Sequence, residues 1–278
     1  GLEVTIRGLK GGHSGMEIIK QRGNAIKLMG RILDTSRRVS DLTLVKFTGG
    51  IKHNAIPNQA CASFITDDIN AVKESIVDFA EKLKEEYRIE EPNLSVDISE
   101  IRVKESYKKE LSDNLIDYIM MVPDGVMYMS KDIQGLVQTS LNNAIVEEKD
   151  DFIEIVASVR SASSTSLREV LNTLKIIAKR TGAQAIEEGN YPAWQYEEDS
   201  KIRDKALEVY KDLFNKEAEV SAIHAGLECG LLKEVLPDTD MISFGPNLFD
   251  VHTEKEHMSI SSAERVWKFL VALLKSLK

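Results

Sequence analysis

Apolar and polar side chains alternate from Leu2 to Leu9, a period of two that predicts a half-buried strand. A glycine-rich turn, Lys10-Gly11-Gly12-His13-Ser14-Gly15, follows it. Between Asn24 and Arg37 the period lengthens, and Ile26, Met29, Ile32 and Leu33 fall on one helical face. Leu42 to Thr48 and Gln59 to Thr66 read as two strands separated by Gly49-Gly50 and Pro57. Ile69 to Tyr87 is an amphipathic helix with Val72, Ile76, Phe79, Ala80 and Leu83 inward, and Leu94 to Val103 is a further strand.

That order, β-α-β-β-α-β, matches the split βαβ arrangement of ferredoxin-like sheets. A second stretch partly repeats it. Asp113 to Met121 reads as a helix and Gly125 to Met129 as a short strand, while Leu136 to Glu147 and Phe152 to Arg160 form a hairpin. Leu167 to Arg180 is a helix with a cap among Ser163, Ser164 and Thr165, and Ala183 to Gly189 returns as a strand. A second sheet with helices on one face is the simplest account of this half. Tyr191-Pro192-Ala193-Trp194 breaks the pattern and marks a domain boundary. Beyond it the reading is a helix over Ser200 to Phe214, a strand over Glu219 to His224 and a helix over Leu227 to Val235. A strand over Asp240 to Phe244 and a helix over Ser262 to Leu277 complete it. Such an α-β-α-β-α run belongs to a layered α/β sheet but has too few strands to be a whole one. The fold class is therefore mixed α/β, with domains at 1–190 and 191–278.

A length of 278 residues favours two domains. The net charge of -9 argues against nucleic-acid or anionic-membrane surfaces, which demand concentrated Lys and Arg, but leaves room for a local basic site. Cys61 and Cys229 lie far apart in sequence and read as two free thiols of a reducing, cytoplasmic compartment. No apolar run approaches the roughly 20 residues of a membrane span, and no signal peptide is visible. The start at Gly1, inside a strand-like segment and without Met, is read as upstream sequence being absent.

Candidate chemistry gathers in a few loops. His252 follows the strand Asp240 to Phe244, where ligands of α/β sheets collect, and a neutral imidazole there suits a metal; alone, it is equally an ordinary half-buried histidine. Gly226 lies in Ile223-His224-Ala225-Gly226-Leu227-Glu228, a strand-to-helix turn whose small residues admit a ligand close to the backbone. His224 itself reads as packed beneath that turn. His13 suits donation to an oxyanion forming at a scissile carbonyl, or is a polar residue of a flexible turn. Arg160 suits bidentate grip of a carboxylate, or is a surface ion pair. Asn54 suits a hydrogen bond to substrate, or shapes its loop. The glycine-rich loop lacks the Gly-Lys-Ser/Thr ending of a phosphate loop, and no nucleophile elbow surrounds Ser161 to Ser166. His53 and His257 are read as non-catalytic.

Taken together these segments resemble the aminoacyl-histidine (Xaa-His) dipeptidases, relatives of carnosinases and aminoacylases. The carrying residues are Gly11 to Gly15, His53-Asn54-Ala55-Ile56-Pro57, Val159-Arg160-Ser161, Ala222 to Gly230 and Asp250-Val251-His252-Thr253-Glu254. The resemblance implies a two-metal hydrolase using Zn2+, with Mn2+ or Co2+ as alternatives, whose catalytic domain is interrupted by a lid. Residues 1–190 correspond to the lid and 191–278 to the return into the catalytic domain. It implies that His13 stabilises the oxyanion, that Asn54, Arg160 and Gly226 contact the substrate, and that His252 binds one metal. The family's other metal ligands and its glutamate base have no counterpart here, and Glu147-Glu148, at a lid hairpin, is not the base. The chain alone is therefore expected to be inactive. A small peptide is the expected substrate, and a homodimer is one assembly open to it. A related aminoacylase or di/tripeptidase, or a non-catalytic lid-like binding module, are the alternative readings.

Overall fold

The structure is a computed structural model that describes residues 1–189, 194, 196–221, 228–249 and 256–278. These divide into two compact units, one over residues 1–190 and the other over the remaining described residues.

The first unit is built on one antiparallel sheet of seven strands. β1 (Leu2–Arg7), β3 (Leu42–Gly49), β5 (Ala60–Thr66) and β6 (Ser95–Glu100) stand in the order β6-β1-β5-β3. With helices α1 (Ala25–Arg37) and α2 (Ile69–Glu86) in the crossovers, this is the expected ferredoxin-like arrangement. Leu2, Val4 and Ile6 of β1 point to one face and join Ile26, Met29 and Ile32 of α1 and Val72, Ile76 and Leu83 of α2 in one buried cluster. On β3 the buried positions run Leu42, Leu44, then Phe47, because a bulge between Leu44 and Lys46 inserts one residue and turns the strand's later half over. Asn24 caps α1 by accepting from the N–H groups of Ile26 and Lys27, and Asp68 caps α2 through Ala71.

The next half corrects the expectation of a second sheet. After α3 (Lys109–Met121), strands β7 (Gly125–Met129), β8 (Val137–Glu148) and β9 (Ile153–Ser161) extend the first sheet. β8 pairs along most of its length with β9 on one edge. Its other edge is shared between β7, over Val137 to Leu141, and β3, at Val146. A 12-residue strand is long enough to take two partners end to end, which a count of short strands does not reveal. Helix α4 (Ser164–Arg180), capped by Ser163, buries Val170 and Ile177 against Leu141 and Val122. The expected strand at Ala183 to Gly189 is irregular; Glu187 holds it along α4 through Lys175 at 2.6 Å and Arg168 at 3.2 Å.

The second unit contains α5 (Lys201–Phe214), α6 (Glu228–Val235) and α7 (Ile260–Ser276), with a two-residue ladder of β10 (Leu248–Phe249) and β11 (His257–Met258). α5 and α7 meet through Ala206, Phe269 and Leu273, and Tyr210 and Phe244 lie edge-on to the Phe269 ring. The expected strand Asp240 to Phe244 is not formed, and Glu219 to Ser221, the described part of the other, is irregular. A strand exists only where a neighbour takes its backbone groups, and the described residues offer none. Cys61 and Cys229 are both free, as expected.

Candidate functional site

Two short strands, β2 (Gly12–His13) and β4 (Ala55–Ile56), form a ribbon that brings two of the predicted site residues together. His13 stands opposite Ala55, and the Ser14 N–H donates to the Asn54 carbonyl at 2.9 Å. The His13 loop is not the flexible turn its glycines suggest. Gly11 and Gly12 take φ of 62° and 137°, conformations that glycine adopts without strain. The loop is then laced by side chains. Glu91, 1% exposed, accepts from the Lys10 N–H at 2.7 Å and the Gly23 N–H at 3.1 Å, clamping both ends of the loop with one carboxylate. Glu17 accepts from the His13 N–H at 2.9 Å. The bonded Lys20 ammonium, the His13 N–H and the Arg22 charge hold the Glu17 carboxyl down at about 2, so it is ionised at any working pH.

The His13 ring is oriented by its own turn. Gly15 N–H and Met16 N–H both donate to Nδ1, at 3.1 Å each. A ring nitrogen that accepts two N–H groups carries no proton, so the neutral imidazole holds its proton on Nε2. That is the tautomer an oxyanion donor requires.

The ribbon is seated on the sheet face turned away from α4. The Asn142 amide of β8 donates to the Ala55 carbonyl at 2.8 Å, next to Asn54. Ile18 and Ile56 pack against Val137 in a small apolar cluster joined by Val126. Asn142 belongs to a buried polar network. Asn24 Nδ2 donates to the Asn143 carbonyl at 2.9 Å and to Asp124 at 2.8 Å. The Asn143 backbone N–H (2.8 Å) and amide (3.0 Å) also donate to Asp124. Burial pushes the Asp124 carboxyl up to about 6, against these donors and the Lys27 charge, which all act to lower it.

Arg160 reaches the same face from β9. It pairs with Ser140, two residues from Asn142, and the register is regular from Thr139 to Asn143; Ser140, Asn142, Ser158 and Arg160 therefore share a face, while Leu141 and Val159 pack toward α4. Among the described residues the alternative of a surface ion pair does not form. Arg160 is half-buried, its Nε has no hydrogen-bond partner among them, and burial lowers its pKa with no described acid to raise it. A guanidinium so placed has the chemistry to take an anion.

Gly226, His224 and His252 lie outside the described residues. Among the described residues no group of three or more His, Cys, Asp or Glu side chains could hold a metal ion, so these residues by themselves do not fit a two-metal centre. His257 stacks on Phe249 at 5.0 Å within the β10–β11 ladder, and Glu147 is an exposed residue paired with Lys149. Sequence reasoning missed Glu17, Glu91 and Asn142. The one signal for Asn142 was an Asn-Asn pair inside the apolar run Leu141 to Val146, since a buried amide in a strand must bond to something.

Residues 4–91 match a family described as a peptidase dimerisation domain. Over 278 residues the chain is 36% identical to the cytosol non-specific dipeptidase of Escherichia coli, covering 99% of this chain and 57% of that protein. The crystal structure of aminoacylhistidine dipeptidase from Vibrio alginolyticus matches it with a TM-score of 0.91 at 33% identity, over 99% of this chain and 57% of that one. The resemblance drawn from the motifs agrees with these matches: the chain is similar to dipeptidases, and it spans little more than half the length of the relatives it matches.

Proposed function

We propose that this chain supplies the substrate-gripping part of a metal-dependent dipeptidase. The observation that carries the reading is Arg160, a half-buried cation with no acid beside it among the described residues, on the sheet face that seats the His13–Asn54 ribbon. A free dipeptide carboxylate is an anion of the right kind for a guanidinium fork. In this reading Arg160 and Asn54 hold the carboxyl end of the dipeptide. His13 donates from Nε2 to the oxyanion that forms when the scissile carbonyl is attacked. Gly226 contacts the substrate through its backbone, and His252 is one ligand of the metal. Two zinc ions, with manganese or cobalt as alternatives, would supply the activated water; the described residues do not assemble that centre. The lid role falls to residues 1–190 and the catalytic-domain role to 191–278. A cytoplasmic homodimer is the proposed setting: the family matched over 4–91 is described as a dimerisation domain, and no helix among the described residues is long and apolar enough to cross a membrane.

The two relatives named above differ in breadth, one being called non-specific and the other aminoacylhistidine-directed. Both names favour dipeptides over acylated amino acids. Steady-state hydrolysis of a panel containing Xaa-His dipeptides, other dipeptides and N-acyl amino acids, by the protein at its natural length with zinc supplied, tests this; the chain alone is expected to give no turnover. Turnover of dipeptides and little of the N-acyl compounds is expected. Preferential N-acyl hydrolysis would move the protein to an aminoacylase role, and no turnover at all would leave a non-catalytic binding role.

A further inference from the structure

We propose that Glu17 is a positioning residue for His13, fixing the ring's tautomer through the backbone of the turn. This rests on the reading of His13 as the oxyanion donor, but its geometry stands by itself. Residues 13 to 17 close on themselves: the Glu17 N–H donates to the His13 carbonyl at 3.0 Å, and the Glu17 carboxylate accepts from the His13 N–H at 2.9 Å. His13 is thus gripped on both sides of its α-carbon by one residue. Between the two grips lie Gly15 and Met16, whose N–H groups set the ring by donating to Nδ1. The other carboxylate oxygen is tied to Lys20 at 2.8 Å and to Arg22 at 3.2 Å, and Arg22 in turn donates to the Gly11 carbonyl. The carboxylate therefore links His13 to the Gly11 carbonyl, two residues before it in the loop.

Gly12 is the sequence's concession to this device. A Cβ there would lie 2.6 Å from both Arg22 Nη1 and Glu17 Oε2, so a side chain at residue 12 would push both charged ends aside. Neither Glu17 nor Arg22 is placed to touch the reacting atoms in this reading. Their effect on chemistry runs through His13.

The test is imidazole nitrogen–proton correlation spectroscopy on the full chain, with H13N assigning the His13 signals, beside dipeptide kinetics on the protein at its natural length. The wild type is expected to show His13 protonated on Nε2 and bare on Nδ1. E17A is expected to give mixed tautomers and a kcat lowered about tenfold with KM within about twofold, because a donor loosely held near its productive geometry loses rate rather than binding. E17Q keeps an acceptor for the His13 N–H and is expected to recover the Nε2 tautomer and most of the rate. Should E17A not fold, Arg22→Ala, which removes the Gly11 tie, is read the same way. A folded E17A with His13 still wholly on Nε2 and kcat unchanged would overturn the proposal. If E17A disorders the tautomer while the wild type hydrolyses no dipeptide, the positioning role stands and the proposed function falls.

Discussion

Burying part of a guanidinium with no acid beside it costs free energy that folding must offset elsewhere, and Arg160 is such a case among the described residues. The cost makes sense if a ligand's anion is the missing partner. It follows that Arg160→Met, similar in length and apolar, should leave the unliganded protein as stable as the wild type or more so, by on the order of 1 kcal/mol. The same variant should lose the thermal stabilisation that a bound dipeptide confers. Denaturant melts with and without dipeptide read both effects. A variant markedly less stable without ligand would mean that Arg160 has a structural partner after all. His13 makes the complementary point, that a side chain's usefulness lies in what holds it. Its ring is held by Gly15 and Met16, and its backbone by Glu17.

At the scale of elements, the polar network around Asp124 ties the capped end of α1 to β8 and, through Asn142, to the β2–β4 ribbon. The carboxyl is pushed up to about 6 by burial, from an ordinary 3.8, with Lys27 the nearby cation and Asn24 and Asn143 the neutral donors facing it. The folded pKa lies above the unfolded one, so between those values the folded state holds more protons. Stability from this group therefore falls as pH rises from about 4 to about 6 and is level above that. Asp124→Asn keeps an acceptor in the same place and should abolish that slope, which urea midpoints across pH 4 to 7 would show. An unchanged slope would place the titration on another group. Most strands and helices of the first unit were legible because each carries its own period, and α4 its serine cap; the strand read at Ala183 to Gly189 did not form. The register of β8 was not, because its two partners on one edge are decided by residues far away in sequence. The strand read at Asp240 to Phe244 failed for a related reason: alternation shows which face would be buried, not whether a neighbour exists to pair with. Of the candidate site, His13 and Asn54 were visible as residue types in suggestive loops, and Arg160 as one at the end of a strand. The carboxylates that hold the His13 loop were not, since Glu91 acts on residues 10 and 23 from across the fold.

For the whole molecule, the first unit carries a continuous core from Leu2 to Val146, whereas among the described residues of the second only Ala206, Phe269 and Leu273 are buried apolar residues. The chain spans 57% of the relatives it matches, so its own residues are to be judged by what they do to substrate within the protein at its natural length. The central claim is that the sheet face bearing Arg160 grips the free carboxylate of a dipeptide. Its most direct test compares kcat/KM for a dipeptide and for the same dipeptide amidated at its carboxyl end, in the wild type and in Arg160→Ala. A charged hydrogen-bonded pair at this position predicts that amidation costs the wild type on the order of 10- to 100-fold and the variant little. An equal amidation penalty in both proteins, or no preference for the free carboxylate in the wild type, would contradict it.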